Sequence, residues 1–433
     1  MTSIDATTAG MDVPAAPRAI PRRAVIAGLA GNVMEWYDFA VYGYFAQVIG
    51  QHFFPSEDPT SSLIASFGAF AAGFLMRPVG GLIFGHIGDR LGRKSALTLS
   101  VLAMAIPTFL IGLLPDHSQI GALAPILLVA LRMIQGLSVG GEYTTSVVFL
   151  VEGAAPNRRG FAGSWSPFGA GAGILLGSAI GAALNTVLSP EAVFAWGWRV
   201  PFLLGLGVGL AGLFIRRHIP EPPKQPDNKT AGSPIREAFR SEWRNILRIM
   251  GFNFMFAVSF YMIFVYVATY LKEIVHVSAR SALDINTMAM VIMLTLVPIM
   301  GWLSDRIGRK PLLVVASLGL VLFSWPLFWL MHHPDFMMMF LGQVGFAVFI
   351  GMISGVAPAT MVESLPAYVR CTALSVGYNI TFGLIGGLTP MVAAYLIQRT
   401  GQDLAPAYFL IVSAVVSLAV IGTMRETVRE PLR

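Results

Sequence analysis

Twelve runs of apolar residues follow one another along the chain, at 24–50, 61–87, 95–114, 121–151, 161–186, 197–216, 246–271, 281–303, 311–331, 336–362, 371–397 and 404–424. A helix crosses the hydrocarbon of a bilayer with about 20 apolar residues, and it satisfies its own backbone polar groups on the way. Hydrophobic residues make up 55% of the 433 and charged residues only 12%, a balance that would expose too much apolar surface in water. The expectation is an all-α membrane protein with twelve transmembrane helices. Residues 1–23 are polar, with Pro14, Pro17 and Pro21, and read as a cytoplasmic tail without the apolar core of a signal peptide. Residues 217–245, with Pro220, Pro222, Pro223, Pro226 and Pro234, read as a cytoplasmic linker. Its end, 235–248, reads as a short amphipathic helix on the membrane surface. Residues 425–433 read as a second cytoplasmic tail.

The net charge of +6 does not mark a nucleic-acid binder, because the basic residues sit in short clusters between apolar runs. Arg22 and Arg23, Arg90, Arg93 and Lys94, Arg158 and Arg159, Arg216 and Arg217, Arg306, Arg309 and Lys310, Arg370, and Arg425 and Arg429 all fall at one set of ends. The alternate loops 51–60, 115–120, 187–196 and 332–335 carry no Lys or Arg; Lys272, Arg280 and Arg399 are the exceptions. The positive-inside bias then puts both termini in the cytoplasm and the protein in the cell inner membrane. A single cysteine, Cys371, excludes an internal disulfide. No nucleophile elbow, zinc-ligand spacing or phosphate loop is present, so an enzyme is not expected, nor a cofactor or metal.

The chain repeats itself. Gly85, Asp89, Arg90, Gly92, Arg93 and Lys94 recur in the same spacing as Gly301, Asp305, Arg306, Gly308, Arg309 and Lys310, 216 positions later. Glu152 with Pro156 and Arg159 recurs as Glu363 with Pro366 and Arg370, 211 positions for the glutamates. Two parallel six-helix bundles follow, 24–216 and 246–424. A solute site is expected where they meet, near the midplane.

The paired Gly-x-x-x-Asp-Arg-x-Gly-Arg-Lys motifs resemble the loop signature of the major facilitator superfamily, over nearly the whole chain. A narrower resemblance to the metabolite:proton symporter family rests on several stretches. These are Gly31-Asn32 with Glu35-Trp36-Tyr37-Asp38, Arg77-Pro78, Arg132 with Gln135-Gly136 and Gly140-Gly141-Glu142-Tyr143, and Trp198-Arg199 with Pro201. The resemblance implies a proton-coupled symporter that imports a small carboxylate-bearing metabolite by alternating access, as a monomer. Arg132 is like the carboxylate carriers, which makes an organic acid such as citrate or a dicarboxylate the first expectation. The stretch from Pro406 to Thr427 resembles the proline/betaine carriers, which keeps a zwitterion as the alternative. A membrane receptor on a carrier fold is a remote third, because it needs an output device.

Ionisable groups inside a span are expensive and mark function by default. Glu35, Asp38, Arg77, Arg132 and Glu142 are such groups, all in the first half. Glu35, Asp38 and Glu142 are the candidate proton-coupling acids. Arg132 and Arg77 are candidate substrate contacts, because a guanidinium holds a carboxylate with two parallel hydrogen bonds. Gln135, Tyr42, Tyr261, Tyr266 and Asn379 are candidate neutral contacts. Permanent pairing of the acids with Arg77 or Arg132 is the competing, purely structural reading. Asp89, Arg90, Arg93, Glu152 and Arg159, with Asp305, Arg306, Arg309, Glu363 and Arg370, form the expected conformational gates. Asp89 is placed to cap the helix that starts near Thr372. Gly169, Gly173, Gly177 and Gly181 are expected to form a smooth surface on which the halves rock.

Overall fold

The computed structural model describes residues 22–57, 59–217 and 233–432, and every regular element in them is helical. The first, α1 (Arg22–Tyr44), is 23 residues long and continues as a short helix over Ala46–Phe53. Nine further helices take the chain through both bundles: α2 (Ser61–Arg90), α3 (Arg93–Leu113), α4 (Leu123–Glu152), α5 (Pro156–Val187), α7 (Trp243–Glu273), α8 (Arg280–Ile307), α9 (Arg309–Met331), α10 (Phe336–Glu363) and α11 (Ala367–Thr400). The last is α12 (Ala405–Thr423). All ten from α2 onward, α6 apart, have the length and apolarity of a span; α6 runs over Pro190–Gly197 and Arg199–Ala211 with a 50° bend. Asn32, Glu35 and Asp38 make α1 the least apolar of the first-half rods, and all three are buried.

Within the first half α1 lies along α5 and α2 along α4; within the second α8 lies along α10, and α9 against α10 and α12. The halves meet where α2 crosses the start of α11 and where α8 crosses the start of α5. The crossing of α2 and α4 is closed by glycine. A Cβ on Gly140 would stand 2.1 Å from the Arg77 carbonyl oxygen, and one on Gly136 would stand 1.9 Å from that of Gly73. Only hydrogen fits at either place, so the backbone of Arg77 is clamped to α4.

The α5 glycine stripe faces α1. Its hypothetical Cβ atoms would lie 2.4 Å from the Val33 oxygen at Gly173, 2.9 Å from the Tyr37 oxygen at Gly177, and against the Tyr44 ring at Gly181. The expected sliding surface between halves is therefore a seam inside the first half. The face of α5 that meets the second half is the one carrying Gly171, which abuts Leu294 of α8.

Two helices of the second half are widened by π-helical turns, α7 over Met262–Tyr266 and α11 over Ile380–Gly386. Such turns free backbone groups and rotate the residues beyond them, and they concentrate at functional sites. Of the expected linker, 218–232 lies outside the described residues, as do 1–21 of the N-terminal tail. The helix expected over 235–248 is two pieces, Pro234–Ser241 and the start of α7, broken at Glu242. The last described residues are folded against the bundle. Both Glu426 carboxylate oxygens accept backbone N–H groups at the start of α9, from Arg309 at 3.0 Å and Lys310 at 2.9 Å.

Candidate functional site

The repeated motif builds two matching locks at the end that carries the basic loops. Gly92 and Gly308 take positive φ, 98° and 108°, which makes the same tight turn after α2 and after α8. The turn leaves each motif aspartate free to cap a helix of the opposite half. Asp89 accepts the N–H groups of Cys371 at 3.1 Å and Thr372 at 2.9 Å, with the Thr372 hydroxyl at 2.7 Å. Asp305 accepts those of Gly160 at 2.8 Å and Phe161 at 2.9 Å. Each anion meets the positive end of a helix dipole.

The repeated glutamates sit beside these caps. Glu152 takes Arg93 of its own half at 3.1 Å and Arg370 of the other at 2.5 Å. Glu363 takes Arg309 of its own half at 3.1 Å and Arg159 of the other at 3.8 Å. The second lock has an additional strap: Thr427 donates to Glu363 at 2.6 Å, and Arg159 donates to the Glu430 carbonyl at 2.8 Å. Two expected gate residues stand apart from the acids. Arg90 is exposed, and Arg306 lies over the Trp302 ring at 3.9 Å.

Deeper in the first half, Asp38 is enclosed by donors. Its Oδ2 accepts from Arg132 Nη1 at 2.5 Å, and its Oδ1 from Gln135 Nε2 at 3.0 Å and Thr108 Oγ1 at 2.9 Å. The Arg132 guanidinium carbon is 3.7 Å from the Tyr42 ring centroid, and the Tyr42 hydroxyl donates to the Ser66 carbonyl at 3.0 Å. Arg132 and Asp38 are 1% and 0% exposed; Asp38 is satisfied by its three donors, whereas Arg132 Nε and Nη2 have no hydrogen-bond partner among the described residues. The sequence reading gave Arg132 and Gln135 to the substrate; in the structure each donates to Asp38, while Gln135 Oε1, like those two Arg132 nitrogens, is left without a partner. Thr108 was not foreseen, since a lone hydroxyl in an apolar helix carries no spacing signal.

Glu35 is three residues from Asp38 and has the opposite surroundings. Neither of its carboxylate oxygens has a hydrogen-bond partner, although the residue is 1% exposed. The charges that act on it most are Arg77 and then Glu142. Arg77, 0% exposed, likewise donates none of its guanidinium hydrogens; it lies over the Phe74 ring at 5.4 Å. Beside Arg77 stands Tyr261, whose hydroxyl it approaches without reaching hydrogen-bond geometry, and Asn379 of α11 lies against Gly81 at the α2–α4 crossing. The Asn379 amide donates to Gly140 at 2.6 Å, while its Oδ1 is unpartnered. A ladder of rings closes the group: Tyr143 of α4 stacks on Tyr378 of α11 at 4.5 Å, and Tyr378 on Phe382 at 4.3 Å. This ladder bridges the halves. Tyr143 lay inside a quoted motif but was not singled out for a role.

Two other expected residues fall elsewhere. Glu142 accepts from the Ser100 hydroxyl, on the side of α4 that faces α3. Tyr266 packs toward Tyr270, at 6.4 Å, and not beside the charged group.

Comparison with known proteins agrees with this architecture. A family profile described as "Sugar (and other) transporter" matches residues 23–225, and one described as "Major Facilitator Superfamily" matches residues 249–432. The glycine betaine/proline/ectoine/pipecolic acid transporter OusA of Dickeya dadantii is 39% identical over 425 residues, which are 95% of this chain and 85% of that protein. The proline/betaine transporter of Escherichia coli is 37% identical over the same shares. The solved proton:xylose symporter XylE superposes with a TM-score of 0.78 over 94% of this chain and 96% of its own, at 18% identity. The chain is thus a multi-pass membrane protein of the major facilitator superfamily, and it belongs there to the family of the proline/betaine transporters.

Proposed function

We propose that the protein is a proton-coupled symporter that imports a small zwitterion of the proline or glycine-betaine kind by alternating access. It spans the inner membrane with the basic-loop end, and both termini, in the cytoplasm. The observation that carries this reading is the enclosed Asp38–Arg132 pair between α1 and α4. Asp38 is held by an arginine, a threonine and a glutamine, and a proton taken up there would free Arg132 and break the closure of the two helices. That is what a coupling proton needs: one site, two arrangements. The locks at the basic end supply the other requirement, a set of polar contacts between halves that can open as a unit. The proline/betaine transporters named above favour the zwitterion over the organic-acid expectation, and one Arg132 nitrogen is already held by Asp38.

The test is uptake into proteoliposomes of purified protein, with and without an inward proton gradient. Labelled proline, glycine betaine, citrate, alpha-ketoglutarate and shikimate form the panel. Gradient-driven accumulation of proline or betaine is expected. Accumulation of only the organic acids would overturn the substrate class, and accumulation of none would favour a receptor.

A further inference from the structure

Glu35 and Arg77 are opposite charges, both buried, each acting on the other, and yet neither forms a hydrogen bond or an ion pair among the described residues. A buried carboxylate can discharge by taking a proton. A guanidinium has no such escape, because it does not lose its proton in proteins. Arg77 therefore calls for an anion, and Glu35 does not come close enough to be that anion. The reason lies in the two glycine seams. The α1–α5 seam fixes the helix that bears Glu35, with Gly173 closed against Val33 and Tyr37. The α2–α4 seam fixes the backbone of Arg77 against Gly140. The gap between the two charges is thus set by backbone contacts, and side-chain adjustment has not closed it.

We propose that Glu35 and Arg77 are the two ends of a zwitterion site, Arg77 taking the carboxylate and Glu35 the ammonium; this rests on the reading that a zwitterion is the cargo. The neutral groups around the gap fit the role. The Tyr261 hydroxyl, the Tyr143 hydroxyl and the Asn379 Oδ1 are all buried and unpartnered. The stacking of Tyr143, Tyr378 and Phe382 leaves only the outer faces of the two end rings uncovered by the ladder itself, and such a face attracts N-methyl groups when the nitrogen is cationic. Tyr261, Tyr378 and Asn379 belong to the second half, and Glu35, Arg77 and Tyr143 to the first. A bound zwitterion then touches both halves at once. The assignment also separates two acids on one helix turn: Asp38 carries the coupling proton, and Glu35 reads the cationic end of the substrate.

The probes are glycine betaine and 3,3-dimethylbutyrate, which has the same shape and carboxylate but carbon in place of the ammonium nitrogen. Equilibrium binding of both is measured on purified full-length protein by displacement of radiolabelled betaine, or directly where betaine binding is lost. Wild type is expected to prefer betaine about tenfold or more, the worth of one close charge pair in a desolvated site, since the quaternary nitrogen has no hydrogen to donate. Glu35→Gln is expected to lose that preference while still holding dimethylbutyrate through Arg77, and Arg77→Gln to lose both probes. Such an exchange of preference cannot come from partial unfolding. Should Glu35→Gln fail to fold, Glu35→Asp must keep the preference for betaine at lower affinity. Equal binding of the two probes by wild type, or an unchanged preference in Glu35→Gln, overturns the assignment. If wild type neither binds nor accumulates betaine or proline, the fault lies with the proposed function and not with the site alone.

Discussion

Arg370 of the second half donates to Glu152 of the first at 2.5 Å, on the carboxylate that Arg93 holds from its own half. One acid is thereby shared across the interface, and Cys371, the next residue, is fully buried beneath it.

Glu152→Gln removes the shared charge. Each charge-assisted hydrogen bond is worth roughly 1.5–3 kcal/mol, so the population open at this end rises about tenfold or more. The rate of Cys371 alkylation by a small maleimide is the readout. It is expected to be slow in wild type, faster in Glu152→Gln, and faster still with Glu363→Gln added. Equal rates in all three would show that the locks do not hold the halves. Labelling that comes only from the outer side would reverse the proposed topology.

Asp38→Asn keeps the size and most of the hydrogen bonds but cannot carry the proton. Gradient-driven accumulation of proline or betaine should vanish, and exchange of labelled for unlabelled solute should survive. Undiminished accumulation would move the proton to another acid, with Glu142 the next to examine.

Arg132→Ala leaves Asp38 buried without its counter-ion, a change that costs about 3–5 kcal/mol of stability. The double variant with Asp38→Asn should recover most of it in a thermal unfolding assay on detergent-solubilised protein. Arg132→Lys keeps the charge but gives up contact with the Tyr42 ring, about 0.5–2 kcal/mol. Half-saturation for betaine should barely change in it. A large rise in half-saturation alone would return Arg132 to the substrate.

Gly140→Ala pushes a methyl group into the Arg77 carbonyl and separates α2 from α4. Overpacking of this kind costs about 1–3 kcal/mol, and betaine binding should fall with it because Arg77 moves. Gly422→Ala is the contrast, since nothing lies within 4 Å of its added carbon. It should express and transport like wild type.

Much of this was legible beforehand. Ten of the twelve expected spans follow from length and apolarity, with a bent eleventh at α6, while α1 with its buried polar residues falls short of that apolarity. The two halves follow from the repeated motif, and the Asp89 cap from the motif's place before a turn. Facing was harder. Glu35 and Asp38 share one side of α1, and no spacing rule says which of them turns to Arg132. Tyr261 and Tyr266 looked equivalent in the sequence, but the π-helical turn at Met262–Tyr266 shifts the phase of α7 between them. Only Tyr261 stays with the charges. The glycine stripe was read correctly as a close-packing surface, yet a stripe does not name its partner, and that partner is α1.

That seam has a mechanical meaning. With backbone close to backbone from Gly169 to Gly177, about two turns, and the Tyr44 ring against Gly181 beyond, α1 and α5 pack as one unit. Between this seam and Gly160 and Phe161, which sit on Asp305, α5 is interrupted at Ser164, so the seam meets that contact through a single joint. For the proton proposed at Asp38, the stiffness of this pair and the joint at Ser164 together set what is felt at Asp305.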